Sequence, residues 1–243
     1  MSPFIKAVIT SCIEVRDLIT NSTDMSLFDS FDEGHGGDIS SGLDLRAEAI
    51  FFTHLSSFGS LFSEESGWMS PSGSHNIILD PIDGSDNFTS SFPYYGVSVA
   101  LEVEGVTTEG IVCNLANGDI FVRTPTEYYR TTMDAFEKKV DIKINKKSKI
   151  GLFEKGPEHP LLGEKLMQNK FKYRSPGALA LSLAYAPYVK YVLFLGTMRS
   201  FDIQAGLYLS QHLYAFQDER YILLSSDKEV FERIRLIVEK EYF

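Results

Sequence analysis

Asn76-Ile77-Ile78-Leu79-Asp80-Pro81-Ile82-Asp83-Gly84-Ser85-Asp86-Asn87-Phe88 changes character halfway along its length. Ile77, Ile78 and Leu79 form a short apolar run that reads as a buried strand. Two carboxylates follow, with Pro81 between them and Gly84 behind. Pro81 lacks a backbone donor and has a fixed φ, and Gly84 permits a tight reversal, so the strand is expected to stop here. Asp80 and Asp83 would then project from one turn, where two bare carboxylates repel each other and a hard divalent cation relieves the repulsion. An acidic surface turn built on Asp83-Gly84 fits the same residues.

Working outward, residues 4–20 place Ile5, Val8, Ile9, Cys12, Ile13 and Leu18 at mostly helical spacing. Phe31 to Ser41 is rich in glycine and acid and is expected to be a mobile loop. A second helix is expected from Ser41–Asp44 to about Ser57, stopped by Gly59. Leu61-Phe62-Ser63 is a strand candidate leading into Glu64-Glu65-Ser66-Gly67. On the other side, Tyr95 to Val122 alternates apolar and polar residues, broken by Glu104-Gly105 and Asn117-Gly118-Asp119, which predicts an antiparallel meander with Glu102 and Glu104 facing solvent. A strand is placed within the lysine-rich residues 134–150. The second half alternates: a helix over 160–169, a strand at Phe171–Arg174, a helix from Ala178 to Ala186, a strand from Tyr191 to Leu195, and a helix with Asp202 in its first turn. A strand at Tyr221–Leu224 and a helix from Asp227 to Lys240 complete the chain. Helices and strands mix throughout, which points to layered sheets and helices.

The 243 residues carry 44% hydrophobic and 23% charged side chains, the profile of a globular protein with a real core. A net charge of −10 argues against nucleic acid and anionic membranes as partners. The 2 cysteines lie far apart with no metal-type spacing, so neither a disulfide framework nor a zinc site is expected and a reducing cytoplasm is the natural compartment. No signal peptide is read at Met1–Thr10, and no apolar run approaches the ~20 residues that span a bilayer.

Four acidic positions stand out: Asp44 at a helix start, Glu64 after a strand, the Asp80/Asp83 pair after a strand, and Asp202 opening a helix. Singly, each has an ordinary reading as a cap, a dipole partner or a surface turn. Together with their neighbours they form a recognisable series: Gly37-Asp38-Ile39-Ser40 leading to Asp44-Leu45, Ser63-Glu64-Glu65-Ser66-Gly67, Asp80-Pro81-Ile82-Asp83-Gly84-Ser85, Arg174-Ser175-Pro176-Gly177-Ala178-Leu179, and Arg199-Ser200-Phe201-Asp202-Ile203-Gln204-Ala205-Gly206. Over about residues 37–210 this series resembles the inositol monophosphatase–fructose-1,6-bisphosphatase superfamily of magnesium-dependent, lithium-sensitive phosphatases.

The resemblance implies an α/β (α+β sandwich) fold of layered α/β/α/β/α architecture. It implies a single phosphatase unit over 1–243, with a metal-site half at roughly 1–135 and a C-terminal half at 136–243, commonly assembled as a homodimer. It implies that Glu64, Asp80 and the Ile82 carbonyl hold one Mg2+ and that Asp80, Asp83 and Asp202 hold a second. Glu64 and Ser85 would position and deprotonate water, with Asp44 near a third, weaker ion. Phosphate would lie against Asp83, Gly84, Ser85 and Asp202. Arg199 stands where the acid that contacts inositol is expected. With Arg174, it is read as a binder of a second phosphate. The substrate class is a small phosphorylated metabolite: an inositol phosphate, fructose 1,6-bisphosphate or 3′-phosphoadenosine 5′-phosphate. The rival reading is a catalytically weak protein that senses phosphate ligands or metals in the same cleft.

Overall fold

The computed structural model describes residues 1–70 and 74–242. Alternation along β5 (His75–Asp83) sets its layers: Ile77 and Leu79 face one core, and Ile78 faces the other. β5 pairs in parallel with β3 (Ser60–Ser63), which pairs with β4 (Gly67–Met69), and antiparallel with β6 (Gly96–Val103). The meander continues through β7 (Val106–Asn114), β8 (Asp119–Arg123), β9 (Tyr128–Thr132) and the two-residue β10 (Val140–Asp141), giving eight strands in the order β10-β9-β8-β7-β6-β5-β3-β4. A second sheet, β12-β11-β13-β15-β14, comprises β11 (Gly151–Glu154), β12 (Tyr173–Arg174), β13 (Val192–Leu195), β14 (Tyr214–Gln217) and β15 (Tyr221–Ser225).

Five layers follow from where each helix buries its apolar face. α1 (Pro3–Asn21) and α2 (Gly42–Leu55) cover the outer face of the large sheet through Val8, Cys12, Leu43 and Phe51. α5 (Leu179–Ala184) and α6 (Ser200–Ser210) fill the middle layer. Leu181 and Ala205 pack on Ile78 and Val112 of the large sheet, while Leu183 and Ile203 pack on Val192 and Ile222 of the second. α4 (Pro160–Gln168) and α7 (Lys228–Ile237) cover the far side through Leu162, Leu166, Phe231 and Ile234. The α/β/α/β/α layering expected of the sequence is thus observed. The two cysteines, distant in sequence, meet as free buried thiols between α1 and β7.

Several local expectations are corrected. β5 does not stop at Pro81. It runs on to Asp83, with a register shift in which three steps on β5, from Asp80 to Asp83, match two on β6, from Ser98 to Gly96. The extra residue is a β-bulge, which is where a sheet accommodates a proline that cannot donate. The expected loop at 31–41 is a hairpin of β1 (Ser30–Glu33) and β2 (Ile39–Ser41). Its tip is fixed by tertiary bonds: His35 N donates to Glu65 O (2.9 Å) and Gly36 N to Glu64 O (2.7 Å). The strand expected within 134–150 shrinks to β10, and that at 171–174 to Tyr173–Arg174, while β9 was not anticipated. Glu102 is half-buried instead of solvent-facing, because Gln204 of α6 donates to its carboxylate.

Candidate active site

The bulge turns the end of β5 into a deep floor. Asp80 is 1% exposed and its Oδ1 has no hydrogen-bond partner among the described residues. Glu64, just past β3, reaches the same spot because β3 runs parallel beside β5 with Ser63 paired to Leu79, so that Glu64 follows Ser63 where Asp80 follows Leu79. Asp202 arrives from the first turn of α6. One carboxylate oxygen from each of Glu64, Asp80 and Asp202 lies within 4.8 Å of the others. Asp83 is also buried, and its Oδ2 accepts from Leu181 N (2.8 Å) in the first turn of α5.

Burial is the first cause of every carboxyl shift here, with like charges adding to it. Glu64 is pushed up to about 8, chiefly by burial and then by Asp202. Asp83 is also pushed up to about 8 by burial, despite the Leu181 amide, and Asp80 lies well above the carboxylate range through burial and then the Glu64 charge. Glu65 is raised to about 7 by burial, while Ser40 donates to its carboxylate.

These groups line a cleft of about 810 Å³ that also takes in Asp44, Ile82, Gly84, Ser85, Asp86 and Arg199. Asp44 lies on the wall outside the three-carboxylate cluster and serves as half of a capping box, its Oδ2 accepting from Ser41 N at 2.6 Å. Gly84, at φ +90°, turns the chain out of β5 so that Ser85 opens the short helix α3 (Ser85–Thr89) on the cleft wall. A Cβ on Gly84 would come within 3.0 Å of the Ala178 Cβ and 3.1 Å of Tyr94 O. Gly84→Ala is therefore expected to cost roughly 2 kcal/mol of stability through the strained φ and this contact. A lower urea midpoint would show it, and an unchanged midpoint would contradict it.

The two arginines are not equivalent. Arg174 is exposed, donates to its neighbour's carbonyl (Tyr173 O, 2.8 Å) and does not line the cleft, which corrects the expectation that it meets substrate there. Arg199 lines the cleft, but its guanidinium is already engaged. Nε and Nη2 donate to the two oxygens of Asp202 (2.7 and 3.1 Å). Nη1 donates to Gly36 O (3.0 Å) and Asp38, and lies 3.2 Å from Glu64 Oε1. Burial opposes its charge, yet the bonds and charge of Asp202 outweigh that and hold Arg199 firmly protonated. Its place is that of a counter-ion within the carboxylate cluster.

The sequence reading missed the opposite wall. Lys155, Ser175 and Thr197 line it, and so does Glu154, which is buried at the end of β11 and accepts from Gly177 N (2.9 Å) and Ser182. Glu154, Lys155 and Thr197 had position as their only signal, close behind the short apolar runs Leu152-Phe153 and Val192–Leu195, whereas Ser175 lies in the quoted segment Arg174–Leu179.

The profile of the inositol monophosphatase family matches residues 1–210. The chain belongs to that family. Among individual members, it is 35% identical over 89 residues to an inositol-1-monophosphatase of Mesorhizobium japonicum, covering 35% of this chain and 34% of that protein. It is 27% identical over 154 residues to a fructose-1,6-bisphosphatase of Pyrococcus furiosus, covering 61% and 56%. The chain thus spans about a third to just over half the length of these curated family relatives. The solved structure of the Thermotoga maritima IMPase superposes with a TM-score of 0.75 at 18% identity, over 97% of this chain and 98% of that one, which shows the family fold.

Proposed function

We propose that this chain is a phosphoric monoester hydrolase that uses Mg2+ to cleave a small phosphorylated metabolite. The observation that carries this reading is the convergence of buried Glu64, Asp80 and Asp202 within 4.8 Å, with Asp80 Oδ1 unpartnered among the described residues. Their chemistry fits a hard cation: all donors are oxygens, their charges repel, and an orphaned buried carboxylate oxygen lacks the positive partner it needs. Glu64, Asp80 and the Ile82 carbonyl would hold one ion, and Asp80, Asp83 and Asp202 another. Magnesium bound there would supply the charge that draws in the phosphate and makes water nucleophilic.

The chain's own residues do the rest. Glu64 takes the proton of the attacking water, and the Ser85 hydroxyl orients that water. Asp83 is fixed at the cleft by the Leu181 amide. The water oxygen bonds to phosphorus as the phosphorus–oxygen ester bond breaks, the leaving oxygen takes a proton from solvent water while Glu64 returns its proton to solvent, and inorganic phosphate and an alcohol depart without a covalent phosphoenzyme. The same reading includes a homodimer in the cytoplasm, sensitive to lithium. No helix among the described residues is long and apolar enough to cross a membrane.

The test is phosphate release from inositol 1-phosphate, fructose 1,6-bisphosphate, 3′-phosphoadenosine 5′-phosphate and an aryl phosphate, with magnesium and with chelator. Magnesium-dependent turnover of at least one ester is expected. One observation favours the rival, a catalytically weak binder: Arg199 already holds both oxygens of Asp202. Folded protein that neither turns over any ester nor binds magnesium in a calorimeter would decide for it.

A further inference from the structure

β12, β11 and β13 run parallel, with β11 in the middle. In open sheets, ligands bind in the crevice beyond the carboxyl ends of parallel strands. Each of these three strands delivers one polar residue to the cleft just past its carboxyl end: Ser175 after β12, Lys155 after β11 and Thr197 after β13. Lys155 is therefore flanked by two hydroxyl side chains on the wall that belongs to the second sheet.

Lys155 is held in place by its backbone. It adopts φ +57° and ψ +21°, the left-handed region that costs a non-glycine residue free energy and that collects at ligand sites. Ser175 Oγ accepts from the next amide, Gly156 N (3.2 Å), which ties the Lys155 turn to the end of β12. The lysine stem lies along Gly196, where a Cβ would sit 3.2 Å from Lys155 Cδ. Among the described residues Lys155 forms no ion pair, although Glu158 lines the same part of the cleft. Arg199, the other cation on the cleft, is committed to Asp202, Asp38 and Glu64. In a cleft crowded with carboxylates, Lys155 is left as the cation with capacity for an anion.

We infer that Lys155, flanked by Ser175 and Thr197, binds a second phosphate of the substrate and so determines specificity for bisphosphorylated metabolites. The inference rests on the phosphatase reading for the site of cleavage, but the binding of the second phosphate is separable from it. An ammonium is a compact point charge with three donors, suited to a phosphate presented at varied angles.

The experiment compares wild type, Lys155→Asn and Lys155→Arg. Asparagine tolerates the left-handed backbone, so the charge is lost without refolding the turn. The readout is the ratio of kcat/KM for fructose 1,6-bisphosphate to that for inositol 1-phosphate. It is expected to fall about 10- to 100-fold in Lys155→Asn, the usual worth of a charge-assisted bond, mainly through KM, and to recover in Lys155→Arg. A ratio unmoved by Lys155→Asn would overturn the inference and leave the phosphatase reading standing. If no ester is turned over, calorimetry with fructose 1,6-bisphosphate and fructose 6-phosphate, magnesium present, decides it. Wild-type preference for the bisphosphate that Lys155→Asn abolishes would sustain the inference. No such preference, or one that survives the substitution, would overturn it.

Discussion

Asp80→Asn is expected to lower kcat at least roughly 10³-fold, about 4 kcal/mol of barrier, and to weaken magnesium binding while the fold is kept. The reason is position. Asp80 is the most buried of the converging carboxylates, and its Oδ1 has no hydrogen-bond partner among the described residues. Asparagine is nearly the same shape, so packing is preserved while one negative charge leaves. The same substitution relieves repulsion from Glu64, Asp83 and Asp202, and so the metal-free variant should melt higher than metal-free wild type. Activity and apo stability thus move in opposite directions. A purely structural role would lower both. Turnover kept within a few-fold of wild type would sink the metal assignment.

The second large effect is a reversal of pH dependence by metal. Glu64 rises from 4.5 to about 8 and Asp83 from 3.8 to about 8 on folding, each chiefly through burial. Between roughly pH 4.5 and 8 the folded chain keeps protons that the unfolded chain has released, so unfolding free energy falls as pH rises. This contribution is present in full below the unfolded values and lost as pH passes about 8. Carboxylates that salt bridges or hydrogen bonds lower, such as Glu127 and Glu239, act in the opposite sense only at more acidic pH. In chelator, the melting temperature is therefore expected to drop from pH 5 to pH 8. Magnesium at 100 times its pH 8 dissociation constant should add about 2.7 kcal/mol per ion at pH 8 and less at pH 5, where the ligands must first lose their protons. A chelated protein that grows more stable over that range would contradict the buried cluster.

Much of this architecture is legible in residue patterns because the patterns are local. Ile77 to Leu79 alternates between two cores, and Asp227 accepts from Glu229 N and Val230 N as a helix cap should. The acidic positions Glu64, Asp80 and Asp202 are legible one by one, but their meeting within 4.8 Å is a property of the parallel β3–β5 pair and of α6 between the sheets. What escapes the sequence depends on distant partners. The 31–41 hairpin is ordered by carbonyls of Glu64 and Glu65, which glycine content alone does not reveal. Arg199 reads as a free cation until Asp202, Asp38 and Gly36 are seen around it. Lys155 is one lysine among many until the second sheet sets it between Ser175 and Thr197.

The cluster also has an order of arrival. During synthesis the large sheet, with Glu64, Asp80 and Asp83, emerges well before α6, and domains build as their segments leave the ribosome. Until α6 docks between the sheets, the acidic floor is an unfinished, one-sided pocket. The first turn of α6 carries Asp202 together with Arg199, three residues before it in sequence and paired to it in the folded chain. The carboxylate latest in sequence at the most crowded point of the molecule thus brings its own neutraliser on the same short segment.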